Sequence, residues 1–163
     1  MYDLEKSKQN ITKLHFFQGV DAEMFAKINK TFMEENRITD ADADRLIQKV
    51  KQVAPVNDPQ IEDLRHFSIV ALLIQCVASN RLTKLQQDDL FIFISNKLTS
   101  ESPVINTDHK EFAVSMDIAI LSNMHRQESV AVILPFVSSN SKTVKMYADA
   151  ALERSDYKVQ VAN

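Results

Sequence analysis

The chain has 163 residues, 45% hydrophobic by type and 25% charged, with a net charge of -3 and a pI of about 5.8. These values fit one globular domain that buries roughly 70% of its unfolded surface, and they exclude wholesale disorder. The acidic balance argues against a nucleic-acid partner, and the single cysteine, Cys76, excludes an internal disulfide framework.

A lone cysteine in an apolar run predicts a reducing, cytoplasmic setting. No charged segment followed by an apolar one opens the sequence, so no secretory signal is expected. The longest apolar run, Ile69 to Ile74, is far below the roughly 20 residues of a membrane span, and none is expected.

Gly19 is the only glycine, against about eleven at average usage. Tight hairpins and phosphate-cradling loops depend on glycine at positive φ, so β-rich architectures and nucleotide loops are disfavoured. Helices deprived of a glycine C-cap must end elsewhere. Asn36, Asn57, Asn80, Asn96, Asn123 and Asn140 are the expected terminators.

Helical stripes follow in chain order. Leu4, Ile11, Leu14 and Phe17 form the first, and Met24, Phe25, Ile28, Phe32 and Met33 the second. Leu46, Ile47, Val50 and Val53 form the third, which opens at Thr39 or Asp40 and is ended by Pro55 and Pro59. Residues 61–78 are apolar almost all round, which predicts a central helix buried on most sides. Leu90, Phe93, Ile94 and Leu98 make a fifth stripe. After the longest loop, Thr99 to Thr107, Phe112, Ala113, Met116, Ala119 and Ile120 make a sixth, with Asp108 and Glu111 at capping-box spacing. Val130, Ile133, Leu134 and Val137 make a seventh, in which Pro135 should force a kink or an early end. Val144, Tyr147, Ala148, Ala151 and Leu152 make an eighth, capped by Ser141. Residues 155–163 read as a tail. The expected fold class is all-α, with about eight helices in antiparallel pairs.

The fourth, sixth and eighth helices share a pattern. Leu64-Arg65-x-x-Ser68-x-x-Ala71-Leu72, His109-Lys110-x-x-Ala113-x-x-Met116-Asp117 and Val144-Lys145-x-x-Ala148-x-x-Ala151-Leu152 each place a basic residue three positions before a small one. Val53 precedes Leu64, and Leu98 precedes His109, by the same interval of eleven residues. Small residues at 68, 113 and 148 allow close approach between neighbouring pairs, so the pairs are expected to stack.

This pattern, with Asp58-Pro59 ahead of Leu64-Arg65 and the run Ala131-Val132-Ile133-Leu134-Pro135-Phe136-Val137 ahead of Val144-Lys145, resembles the HEAT-repeat family of α-solenoids over about residues 40–154. The middle unit departs from the family pattern at His109 and Asp117. The resemblance implies one helical-repeat domain over residues 1–154. Residues 1–38 would form an N-terminal capping pair and residues 40–154 three HEAT-like units stacked as a short solenoid. It also implies a grooved face for protein partners, with helix-interior prolines such as Pro135 tolerated.

The search for chemistry returns little. Asp40, Asp42 and Asp44 suggest a calcium loop, but Arg45 and Lys51 occupy the places where an EF-hand needs glycine and glutamate. They read as acidic residues favoured at a helix start. His15, His66, His109 and His125 lack metal-ligand spacing, although His66 and His109 would come close in a stacked array. Cys76 has no basic neighbour to activate it. Asp117 interrupts an apolar stretch, so it pairs with Arg65 or Lys145 of a flanking unit or faces a groove. Arg65, Lys110 and Lys145 hold equivalent positions and would form a ladder, which bridges repeats or binds a partner.

These readings predict a protein–protein interaction module, a scaffold, adaptor or inhibitor of the immunity type, without catalysis, cofactor or metal. The acidic N-terminal third hints at a charged partner. The candidate binding residues are Arg65, His66, Lys110, Asp117, Lys145 and Asp149. The alternatives are a HEAT-like enzyme with a pocket around Asp117, or a self-assembling structural subunit. Polar first and last helices suit a capped monomer or a weak oligomer.

Overall fold

The computed structural model describes residues 20–51 and 59–153, with side chains described for 23–51 and 67–153. Among them stand seven α-helices, one 3-10 helix and no strand. The sequence predicts about eight helices. The one expected over Leu4 to Phe17 lies outside the described residues, as do Val53, Asn57 and the tail. The described chain falls into two compact units divided between Thr83 and Lys84. No helix among the described residues is long and apolar enough to cross a membrane.

The first unit holds α1 (Val20–Glu35), α2 (Asp40–Lys51) and α3 (Pro59–Ala78). α1 buries Phe25, Ala26, Ile28 and Phe32 at helical spacing, but Met33, counted in its stripe, is 52% exposed. α2 begins where Thr39 Oγ1 accepts a hydrogen bond from Asp42 N at 3.1 Å. Its first turn carries Asp40 and Asp42 and its last carries Lys49 and Lys51, so both ends complement the helix dipole. Ala43, Leu46, Ile47 and Val50 form its core face. α2 packs on α3, which buries Ile69, Val70, Leu72, Leu73, Cys76 and Val77. Gln75 is exposed and Ile74 half-buried, so α3 keeps one open side along its described part.

The most enclosed helix lies in the second unit, which holds α4 (Lys84–Thr99), α5 (Asp108–Met124), α6 (Ser129–Ile133), the 3-10 helix Leu134–Ser138 and α7 (Lys142–Leu152). α5 packs against α4 on one hand and α7 on the other. Every residue from Val114 to Ile118 is buried, followed by Ile120, Leu121 and Ser122. α4 faces it through Gln86, Leu90, Ile94 and Leu98, a strict four-residue spacing. α7 faces inward through Val144, Ala148, Ala151 and Leu152. Two alanines on that face remove the bulk that would hold two helices apart.

Helix ends answer the glycine shortage only in part as the sequence predicts. Among the described residues, Asn36 and Asn80 take φ of 50° and 55°, and a third non-glycine residue at positive φ is His125 at 53°. His125, not Asn123, terminates α5. Asn123 is still helical, and its Nδ2 donates to Ala119 O at 2.8 Å. Asn96 lies inside α4 and Asn140 precedes α7. The expected Asp108–Glu111 capping box is shifted by one residue. Thr107 is the N-cap, accepting from Lys110 N at 3.1 Å, and Glu111 accepts a hydrogen bond from Ser141 Oγ instead.

Pro135 acts as its chemistry requires. The α-helix stops at Ile133 and the chain tightens into a 3-10 turn. With three residues per turn the inward positions become Val130, Ile133 and Phe136, so Leu134, assigned to the core by the helical period, is 46% exposed.

Candidate interaction surfaces

The predicted site residues do not converge. The side chains of Arg65 and His66 lie outside the described ones. Lys110 stands at the start of α5, where its Nζ pairs with Glu101 at 3.3 Å and donates to Val104 O at 3.4 Å. Lys145 and Asp149 are brought together, 2.7 Å apart one turn along α7, both largely in solvent. Asp117 is 1% exposed. Its Oδ2 lies 3.0 Å from Lys97 Nζ, a lysine near the end of α4. Lys97 is thus a partner of Asp117 that the sequence reading did not name. The structural logic is unchanged, since a carboxylate leaves water only against a countercharge.

A second polar cluster escaped the sequence reading. The loop after α4 is fastened to the turn before α7. Ile105 N donates to Asn140 Oδ1 at 2.7 Å, and Asn140 Nδ2 donates to Ile105 O at 3.0 Å. Ser139 Oγ donates to Pro103 O at 2.7 Å, and Ser141 N donates to Ser139 Oγ at 3.1 Å. Ser141 Oγ also accepts from Val144 N at 3.1 Å, capping α7 as predicted, while it donates to Glu111. The Ser-Asn-Ser run was the available signal. Such residues satisfy backbone groups at helix starts and turns. A third contact, Arg126 to Asp88, places the guanidinium 4.7 Å from the Phe91 ring centroid and ties the residue after α5's end to the first turns of α4.

The interior thiol is held in an inert form. Burial pushes the Cys76 thiol from 9.0 up to about 12, far from the thiolate needed for nucleophilic work. Among the described residues, no group of three His, Cys, Asp or Glu side chains is placed to hold a metal ion.

Comparison with protein-family models, with curated proteins and with solved structures gives no match. The surface itself must therefore supply the functional reading. Two helix faces in the second unit are turned outward. On α4, Leu85 is 81% and Ile92 57% exposed, two turns apart on the side opposite the Leu90–Ile94–Leu98 line. On α7, Met146 is 59% exposed within a shallow depression also lined by Lys142, Lys145, Asp149, Ala150 and Glu153. On α7 a single large apolar side chain stands among four charged ones.

Proposed function

We propose that this chain is a non-catalytic protein–protein interaction module, a scaffold or adaptor built as a short HEAT-like solenoid of antiparallel helix pairs in a reducing compartment. The observation that carries the reading is the pairing pattern of the second unit. Two contacts join α4 to the α5 side, Asp88 to Arg126 and Lys97 to Asp117. As the α4 position advances from 88 to 97, its partner retreats from 126 to 117, as an antiparallel pair requires. The Glu111–Ser141 bond brings the first turns of α5 and α7 to the same end. α4 touches α6, and α5 touches α7. First helix on first helix and second on second is the stacking by which solenoid repeats bury a common core.

Exposed helix faces support a binding role. Leu85 and Ile92 on α4 and Met146 on α7 stand in solvent, while the Cys76 thiol keeps its proton in the interior. The test is affinity capture from the native cell with mass spectrometry, using wild type beside a Lys110→Glu, Lys145→Glu variant. A specific protein captured by the wild type and lost in the variant supports the reading. Turnover of any small molecule at a rate lost in Asp117→Asn would overturn it.

A further inference from the structure

The sulfur atoms of the second unit are unequally placed. Met116 and Met124 are buried in α5, whereas Met146 is 59% exposed on α7. Val144, Ala148, Ala151 and Leu152 carry the inward side of that helix, so Met146 stands on the opposite side. It lies in a shallow depression whose other lining residues are Lys142, Lys145, Asp149, Ala150 and Glu153. The group that ordinarily meets a peroxide first is a thiolate, and this chain has one cysteine. Cys76 is fully buried and holds its proton, so it does not intercept the oxidant. We propose that Met146 is a reversible oxidation site for hydrogen peroxide, and that its sulfoxide makes the α7 face polar while the second unit stays folded. The inference goes beyond the interaction-module reading and stands without it.

The thioether sulfur gives an electron pair to one peroxide oxygen. The O–O bond breaks and an S–O bond forms. The proton on the transferred oxygen passes to the departing hydroxide, which leaves as water. Sulfur is thus oxidised by two electrons and the peroxide reduced by two. A flexible apolar side chain becomes a polar one whose oxygen accepts hydrogen bonds. Lys142 lies one turn before Met146 on the same side of α7, where its ammonium can donate to that oxygen. Because the modified atom faces water, the sulfoxide needs no buried partner, and the inward side of α7 keeps its packing. Reversal is the matching step. A methionine sulfoxide reductase restores the thioether, two thiols become a disulfide, and the oxygen leaves as water.

Hydrogen peroxide treatment of the full chain, followed by tryptic mass mapping, tests this. Met146 falls in the peptide 146–154, Met116 and Met124 in 111–126, and Met33, also exposed, in 31–37. In the folded chain, peptide 146–154 should gain one oxygen about tenfold faster than peptide 111–126. In urea strong enough to unfold the chain, the rates per methionine should converge. Peroxide should lower retention on a hydrophobic-interaction column, and lower it less in Met146→Leu. Oxidised wild type and oxidised Met146→Leu should keep equal shares of their untreated urea midpoints. The two methionine sulfoxide reductases, one for each epimer, should restore Met146 with dithiothreitol as the thiol. Four results overturn the proposal: Met146 oxidising no faster than Met116 and Met124, a retention drop that Met146→Leu shows in full, a midpoint lost by wild type but kept by Met146→Leu, or a sulfoxide that the reductases leave in place. A chain that oxidises in this way but captures no protein would remove the interaction module and leave this inference standing.

Discussion

Asn140 and Ile105 exchange a reciprocal pair of hydrogen bonds across 35 residues of chain, 2.7 Å to the amide oxygen and 3.0 Å from the amide nitrogen. The backbone partner fixes the orientation, because Ile105 N can only donate and Ile105 O can only accept. Asn140→Ala should therefore lower unfolding stability by about 1.5 kcal/mol, two modest bonds partly replaced by water. Asn140→Asp keeps the acceptor and sets a carboxylate oxygen against Ile105 O, so it should cost at least as much. Urea denaturation gives the magnitude. Amide exchange at Ile105 rising more than exchange in α5 would localise the loss to the clasp.

The Cys76 thiol gives a signed pH dependence. Its pKa is raised from 9.0 to about 12 by burial. Below pH 9 both folded and unfolded chains hold the proton, and this stabilising contribution is intact. Between 9 and about 12 the unfolded chain releases the proton and the folded chain retains it, so stability falls as pH rises. Lysines and tyrosines titrate in the same window, so the measurement is the difference from Cys76→Val. The wild-type urea midpoint should drop more steeply than the variant's from pH 8.5 to about 10.5. Equal slopes would contradict it.

His125 closes α5 at φ 53°, a conformation that burdens any residue with a Cβ and a branched one most. His125→Val, which loses the imidazole as His125→Gly does but keeps a branched Cβ, should fall about 1 kcal/mol below the glycine variant. Thermal unfolding of the two variants ranks them. A valine variant as stable as the glycine variant would mean that the backbone at this position is not left-handed in solution.

Local signals were legible in the sequence and long-range pairings were not. Leu46-Ile47-Val50, Leu90-Ile94-Leu98 and Val144-Ala148-Ala151 predict their helices and core faces because helical period acts over neighbours. Pro135 and the Ser141 cap are equally local, one through ring sterics and the other through a hydroxyl three residues from the amide it satisfies. Phe136 was missed because a 3.6-residue period cannot anticipate a switch to three residues per turn. Thr107 was missed for Asp108 because both are good N-caps and one residue separates them. α3, the expected central helix, shows an open side along its described part, while the more polar α5 is enclosed. Composition reports what a helix tolerates; the number of neighbours is set by topology. Lys97 could not be named as a partner of Asp117 without that topology, since Lys97, Arg65 and Lys145 are all cations on helices.

That pair supplies the sharpest distinction between a structural and a functional Asp117. The aspartate is buried, while the Lys97 side chain is 37% exposed, so water screens part of the attraction. Lys97→Met removes this countercharge from a buried carboxylate and should destabilise by about 2 kcal/mol, toward the lower end for broken buried pairs. Asp117→Asn keeps the shape without the charge and should cost about 1 kcal/mol. Combining Lys97→Met with Asp117→Leu removes both charges and fills the space with methyl groups. The double variant should return to within about 1 kcal/mol of wild type, because the desolvation penalty disappears with the attraction. Urea denaturation of the wild type and these variants measures the series, and the same proteins are carried through affinity capture. A carboxylate kept for packing predicts that the double variant regains stability and partner binding together. Regained stability with binding still lost would instead assign Asp117 a part in recognition.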